Sequence, residues 1–109
     1  PRDDLVSPPL ADLLRLDDAS FRVLFSGSPV KRVGRDRFIR NCLIAAGNSG
    51  DVGMLKAVEA LLEDTSPLVR AMAVWALGQL ADAKHTDALR EKFSNDEQDE
   101  HVALEWKTV

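Results

Sequence analysis

Leu43-Ile44-Ala45-Ala46-Gly47-Asn48 returns thirty-one residues later as Val74-Trp75-Ala76-Leu77-Gly78-Gln79, and this pair decides the fold. Each copy is an apolar stretch that closes on a glycine and a side-chain amide. At the same offset, Val58-Glu59-Ala60-Leu61-Leu62-Glu63-Asp64 meets Leu89-Arg90-Glu91-Lys92-Phe93-Ser94-Asn95. A third, truncated copy starts at Glu100-His101-Val102-Ala103-Leu104-Glu105-Trp106. Self-similarity at a period of roughly 30–45 residues, with two helical segments per unit, is the mark of stacked helical hairpins. One unit cannot bury its apolar face alone, so neighbouring units must close the core. The predicted fold is all-α, a superhelix of such hairpins.

Local signals agree with the repeat. Ser66-Pro67 is an N-cap followed by proline at the first helical position. Gly47 to Gly50 and Asp82 to Lys84 read as turns within hairpins, while Asp64-Thr65 and Ser94-Asn95-Asp96 separate repeats. Ala71, Ala73, Ala76 and Gly78 are small enough to let adjacent helix backbones approach. No stretch alternates like a strand between hairpin turns. Ahead of the repeats, residues 1–9 hold Pro1, Pro8 and Pro9 and read as an extended lead-in. Residues 10–27 read as two short helices. Pro9 opens the first, with Leu10, Leu13 and Leu14 on one face, and Asp17 or Asp18 caps the second over Ala19–Phe25. Gly27-Ser28-Pro29 ends that helix, and the repeats run from 28 to 109.

At 109 residues the chain is read as a single domain, long enough to bury roughly two-thirds of its unfolded surface. It begins at Pro1 without an initiator methionine, which reads as a piece of a longer protein. No apolar run approaches the roughly 20 residues that span a bilayer. Cys42 is the only cysteine, so this chain alone builds neither a disulfide nor a cysteine-based metal site. The single thiol suits a reducing cytosol.

One segment reverses the sign of the chain. Between Ser28 and Asn41 stand Lys31, Arg32, Arg35, Arg37 and Arg40 against Asp36, a local charge of +4 in a protein of net charge −4. The other ninety-five residues therefore carry −8, and an acidic pI near 5.1 confines any nucleic-acid affinity to this patch. On a helical wheel of Arg35–Asn48, Phe38, Ile39, Cys42, Leu43, Ala45 and Ala46 fill one arc. Arg37, Arg40, Asn41 and Asn48 lie opposite, with Ile44 among them. Cations at a helix start oppose the macrodipole by a few tenths of a kcal/mol. A helix with only a structural task starts more often with acids, so the placement points to a phosphate partner, set against a solvated or internally paired face.

The same run carries a family resemblance. Ser28-Pro29-Val30-Lys31-Arg32, Arg35-Asp36-Arg37-Phe38-Ile39-Arg40-Asn41 and Ala45-Ala46-Gly47-Asn48 resemble the C-terminal region of epoxyqueuosine reductases. The likeness continues, less specifically, through Ser66-Pro67-Leu68-Val69-Arg70-Ala71-Met72-Ala73-Val74-Trp75-Ala76-Leu77-Gly78. It implies a HEAT-like helical domain that follows an iron–sulfur- and cobalamin-binding catalytic part in a cytoplasmic enzyme. That enzyme reduces the epoxide of a modified base in tRNA with cobalamin and two 4Fe–4S clusters. The run C-x2-C-x2-C-x3-C-P that holds such clusters is absent here. The resemblance thus implies a non-catalytic piece that holds the tRNA anticodon arm beside its parent's catalytic domain, without a membrane. The positions it carries over are Lys31, Arg32, Arg35, Arg37, Arg40 and Asn41. Other readings are a protein–protein scaffold that uses Ile44, Trp75 and Trp106, or a lid on the parent's catalytic domain.

Other residues read as structural. Cys42 falls on the apolar arc as an inert thiol, and His85 and His101 lack metal-ligand spacing. Trp75 and Trp106 read as packing between repeats. The acidic cluster Asp96-Glu97-Gln98-Asp99-Glu100 complements a helix dipole. No catalytic constellation stands out.

Overall fold

A computed structural model describes residues 9–109; the lead-in, Pro9 apart, lies outside them. Among the described residues there are seven α-helices and no strand: α1 (Leu10–Leu13), α2 (Asp18–Leu24), α3 (Arg35–Asn48), α4 (Leu55–Ala60), α5 (Pro67–Leu80), α6 (Ala83–Phe93) and α7 (Glu100–Thr108). Short 3-10 turns precede α3 (Pro29–Val33) and α4 (Val52–Met54) and follow α4 and α6 (Leu61–Glu63, Ser94–Asp96). The all-α hairpin fold expected from the repeat is the fold observed. Pro9 is the N-cap of α1 rather than its first residue, and Asp17 caps α2 through the Ser20 amide at 2.7 Å.

The first helices of the hairpins, α3, α5 and α7, pack side by side, with α5 in the middle. The second helices, α4 and α6, pack on α5. The core runs from Leu14 through Ile39, Leu43, Ala46, Val58, Leu62, Val69, Ala73, Leu77 and Val102 to Trp106. On α3, Ala45 proves exposed, because at 100° per residue it falls on the edge of the apolar arc.

Gly47 lies inside α3, not in the turn that follows it. A Cβ there would stand 2.5 Å from the Trp75 ring, so glycine is what lets α5 approach this closely. Gly78, its repeat equivalent, meets Val109 in the same way, with a Cβ 2.7 Å from the valine side chain. The repeated glycine is thus the notch into which the next repeat fits a side chain. The turn itself is made by Gly50, at φ +68°.

The two tryptophans differ. Trp106 is 2% exposed in the core, whereas Trp75 is half-buried and reaches the surface. At the 31-residue offset they are equivalent, but their helices start out of step: Trp75 lies nine residues after its N-cap Ser66, Trp106 seven after its N-cap Asp99. Two residues turn a helix by about 200°, which sends one indole outward and the other inward.

Candidate nucleic-acid interface

The basic segment is braced from both sides. Phe21 of α2 and Phe25 just after it pack against Phe38 of α3 with tilted rings, whose centroids lie 5.0 Å (Phe21–Phe25), 5.4 Å (Phe21–Phe38) and 4.9 Å (Phe25–Phe38) apart. Ser28 caps the 3-10 turn that carries Lys31 and Arg32, its hydroxyl accepting from the Val30 amide at 3.2 Å. Gly34, at φ +87°, a conformation that disfavours any side chain, then redirects the chain into α3. Side chains cap α2, α5, α6 and α7, from Asp17, Ser66, Asp82 and Asp99; α3 begins with no side-chain cap.

The structure divides the six predicted residues. Arg35 does not present its charge to solvent: its side chain is 11% exposed and pairs with Asp64 at 2.8 Å. A second nitrogen donates to Asp64 at 3.0 Å and to Asp36 at 3.2 Å, and Nε donates to the Leu16 carbonyl at 2.8 Å. That corrects the grouping of Arg35 with the phosphate-contact cations. Its position gave a signal: on the α3 wheel Arg35 falls within the apolar arc, between Cys42 and Ala46. The pair also accounts for a cation at a helix start, since the acid at its side offsets the unfavourable dipole.

Arg70 repeats the arrangement one unit on. It grips Glu97 with two bonds, at 3.0 and 2.9 Å, and donates to the Asp64 carbonyl at 2.8 Å. Arg35 of α3 and Arg70 of α5 thus each clamp an acid in the loop before the next first helix. Burial pushes Asp64 up, but the Arg35 and Ser66 hydrogen bonds outweigh it and hold the carboxyl below its ordinary range. The Arg70 hydrogen bond, against the opposing effect of burial, likewise holds Glu97 low. Both acids were missed in the sequence, where one read as a separator and the other as a dipole complement.

The remaining five predicted residues lie on the surface. Lys31, Arg32, Arg37 and Asn41 are exposed and Arg40 is half-buried. Among the described residues, none of the four cations forms an ion pair. Lys31 and Arg32 line an open hollow of about 620 Å³ with Gly27, Ser28 and Pro29. Arg37, Arg40 and Asn41 share one face of α3. Such a set of cations around an uncapped helix start is suited to oxyanions, and arginine's planar fork fits phosphate.

Other chemistry finds little support. Burial pushes the Cys42 thiol up to about 11, where it is a poor nucleophile. Among the described residues, no group of three His, Cys, Asp or Glu stands together as a metal site. Iron–sulfur clusters need sets of cysteine thiolates, and one buried cysteine does not fit them. None of the described helices is long and apolar enough to cross a membrane.

Residues 35–105 match the family of HEAT repeats. The chain belongs to the HEAT-repeat family. Similar repeats occur within a group of enzymes. The chain is 39% identical over 79 residues to an epoxyqueuosine reductase of Xanthomonas campestris pv. campestris, covering 72% of this chain and 22% of that protein. It is 28% identical over 106 residues to the epoxyqueuosine reductase of Bacillus subtilis, covering 96% of this chain and 27% of that protein. A crystal structure of an epoxyqueuosine reductase with a tRNA-Tyr epoxyqueuosine-modified tRNA stem loop superposes on this HEAT unit with a TM-score of 0.85. The two are 27% identical, over 98% of this chain and 28% of that one. The resemblance carried by the basic run is borne out, and the chain spans about a quarter of the length of these relatives.

Proposed function

We propose that this HEAT-repeat unit is a non-catalytic, tRNA-holding part of an epoxyqueuosine reductase. The parent reduces epoxyqueuosine to queuosine in tRNA, in the cytoplasm, with cobalamin and two 4Fe–4S clusters held by its catalytic domain. Lys31, Arg32, Arg37, Arg40 and Asn41 contact the backbone of the anticodon arm. The observation that carries this reading is the division within one basic segment: Arg35 is committed to an internal pair, while four cations beside it have none among the described residues. An RNA-bound relative of the same fold supports the choice of ligand. The chemistry here is positioning. Holding the arm by its phosphates lets a reacting base reach the catalytic part at low entropic cost.

The scaffold reading loses one of its three apolar contacts, because Trp106 is buried. The test is a fluorescence titration with a labelled tRNA anticodon stem-loop at about 50 and 200 mM salt. Affinity is expected to fall with salt, and the Arg37→Ala/Arg40→Ala double variant to lose affinity and about one to two units of log–log slope. Equal and weak binding by both proteins overturns the reading.

A further inference from the structure

The outer face of α3 does not end with its cations. Arg37, Asn41, Ile44 and Asn48 recur at helical spacing along one face, and Asn41 lies about 5 Å along the axis from Ile44. Ile44 and Asn48 then form one wall of a groove completed by Met72 and Trp75 of α5 and Glu105 of α7. The groove holds about 290 Å³, the lower end of small-ligand pockets, which begin near roughly 300 Å³. Its floor is apolar and aromatic, with an amide on one rim and a carboxylate on the other. Trp75 is seated against Gly47 yet still reaches solvent here, the opposite of Trp106.

We infer that this groove receives one unpaired nucleobase of the RNA whose backbone lies along Arg37, Arg40 and Asn41. The inference rests on the RNA-holding reading and extends it from phosphate to base. An indole, a thioether and an isoleucine offer a base the stacking surface that single-stranded recognition uses. Among the described residues, Glu105 is the only charged one lining the groove, so a phosphate is repelled there while a neutral base is not. Its carboxylate accepts hydrogen bonds and selects a base with an amino group on its edge. Asn48 supplies an amide that both donates and accepts. Charge thus decides where each part of a nucleotide goes: backbone over the cations, base at the acid-rimmed end.

The experiment uses the labelled stem-loop and analogues in which one loop nucleoside at a time is abasic. Trp75→Leu is expected to weaken binding by roughly 5- to 100-fold with an unchanged salt slope. One abasic position is expected to cost wild type a similar factor and to cost Trp75→Leu nothing further. Uracil at that position is expected to weaken binding to wild type but not to Glu105→Gln, a rim substitution that decides the matter if Trp75→Leu fails to fold. If no abasic position couples to Trp75 or Glu105 while Arg37→Ala/Arg40→Ala still lowers the slope, the base pocket is wrong and phosphate holding stands. A groove that instead docks protein gives that same result. If the arginine variant also binds like wild type, both readings fall.

Discussion

Two sets of arginines in this small protein do opposite things. Arg35 and Arg70 point between repeats, each locked on a carboxylate in the loop ahead of the next first helix. Arg37 and Arg40 stand on the outer face of α3 and have no ion-pair partner among the described residues. Arg35 and Arg37 are two residues apart, which on a helix is about 200° and the difference between a repeat junction and a surface. A run of cations is therefore not one feature. Its members divide by the wheel, and only those facing solvent remain for a ligand.

The largest effect should come from breaking the inner set. Asp64→Ala leaves the enclosed Arg35 with only the exposed Asp36 beside it, and losing the partner of a buried pair costs on the order of 3 kcal/mol. Urea denaturation should show a midpoint lowered accordingly, with Arg37→Ala as the control. Next comes Gly47→Ala. Alanine favours an isolated helix by about 1 kcal/mol, but here its Cβ would collide with the Trp75 ring. Overpacking costs about 1–3 kcal/mol, so the net change measured by thermal unfolding should be destabilising.

Of the two sets, acid acts on the inner one alone. Asp64 and Glu97 are held below their unfolded values of about 3.9 and 4.3, so their contribution is complete above that range. It is lost as pH falls through the lower native values. Stability measured from pH 6 down to 2 should drop below about pH 4, and Asp64→Asn/Glu97→Gln should flatten that limb. The smallest expected effect on folding belongs to Arg37→Ala/Arg40→Ala. Its unfolding free energy should change by no more than about 0.5 kcal/mol, while its RNA titration loses slope.

Much of this was legible in the residues alone. The notch glycines Gly47 and Gly78 sit at equivalent places in a repeated hexapeptide, and the repeat spacing predicts a hairpin stack. The basic run announces itself by its sign. Even the exception of Arg35 was written in the wheel, since it falls in the apolar arc. The partners of the inner arginines were not legible, because Asp64 and Glu97 lie in loops whose acids have an adequate local explanation as separators and dipole complements. Nothing local says which arginine, about thirty residues away, will reach them.

Periodicity and charge already make the chain a stack of helical hairpins with one basic segment, because both are local properties that survive any arrangement of the helices. Tertiary structure alone decided which charges are spent and which aromatic ring is exposed. Arg35 is removed from the candidate surface only when the loop before α5 carries Asp64 to it. Trp75 faces outward and Trp106 inward because α7 starts two residues later in its repeat than α5 does. A helix converts that small shift of register into a reversal of direction.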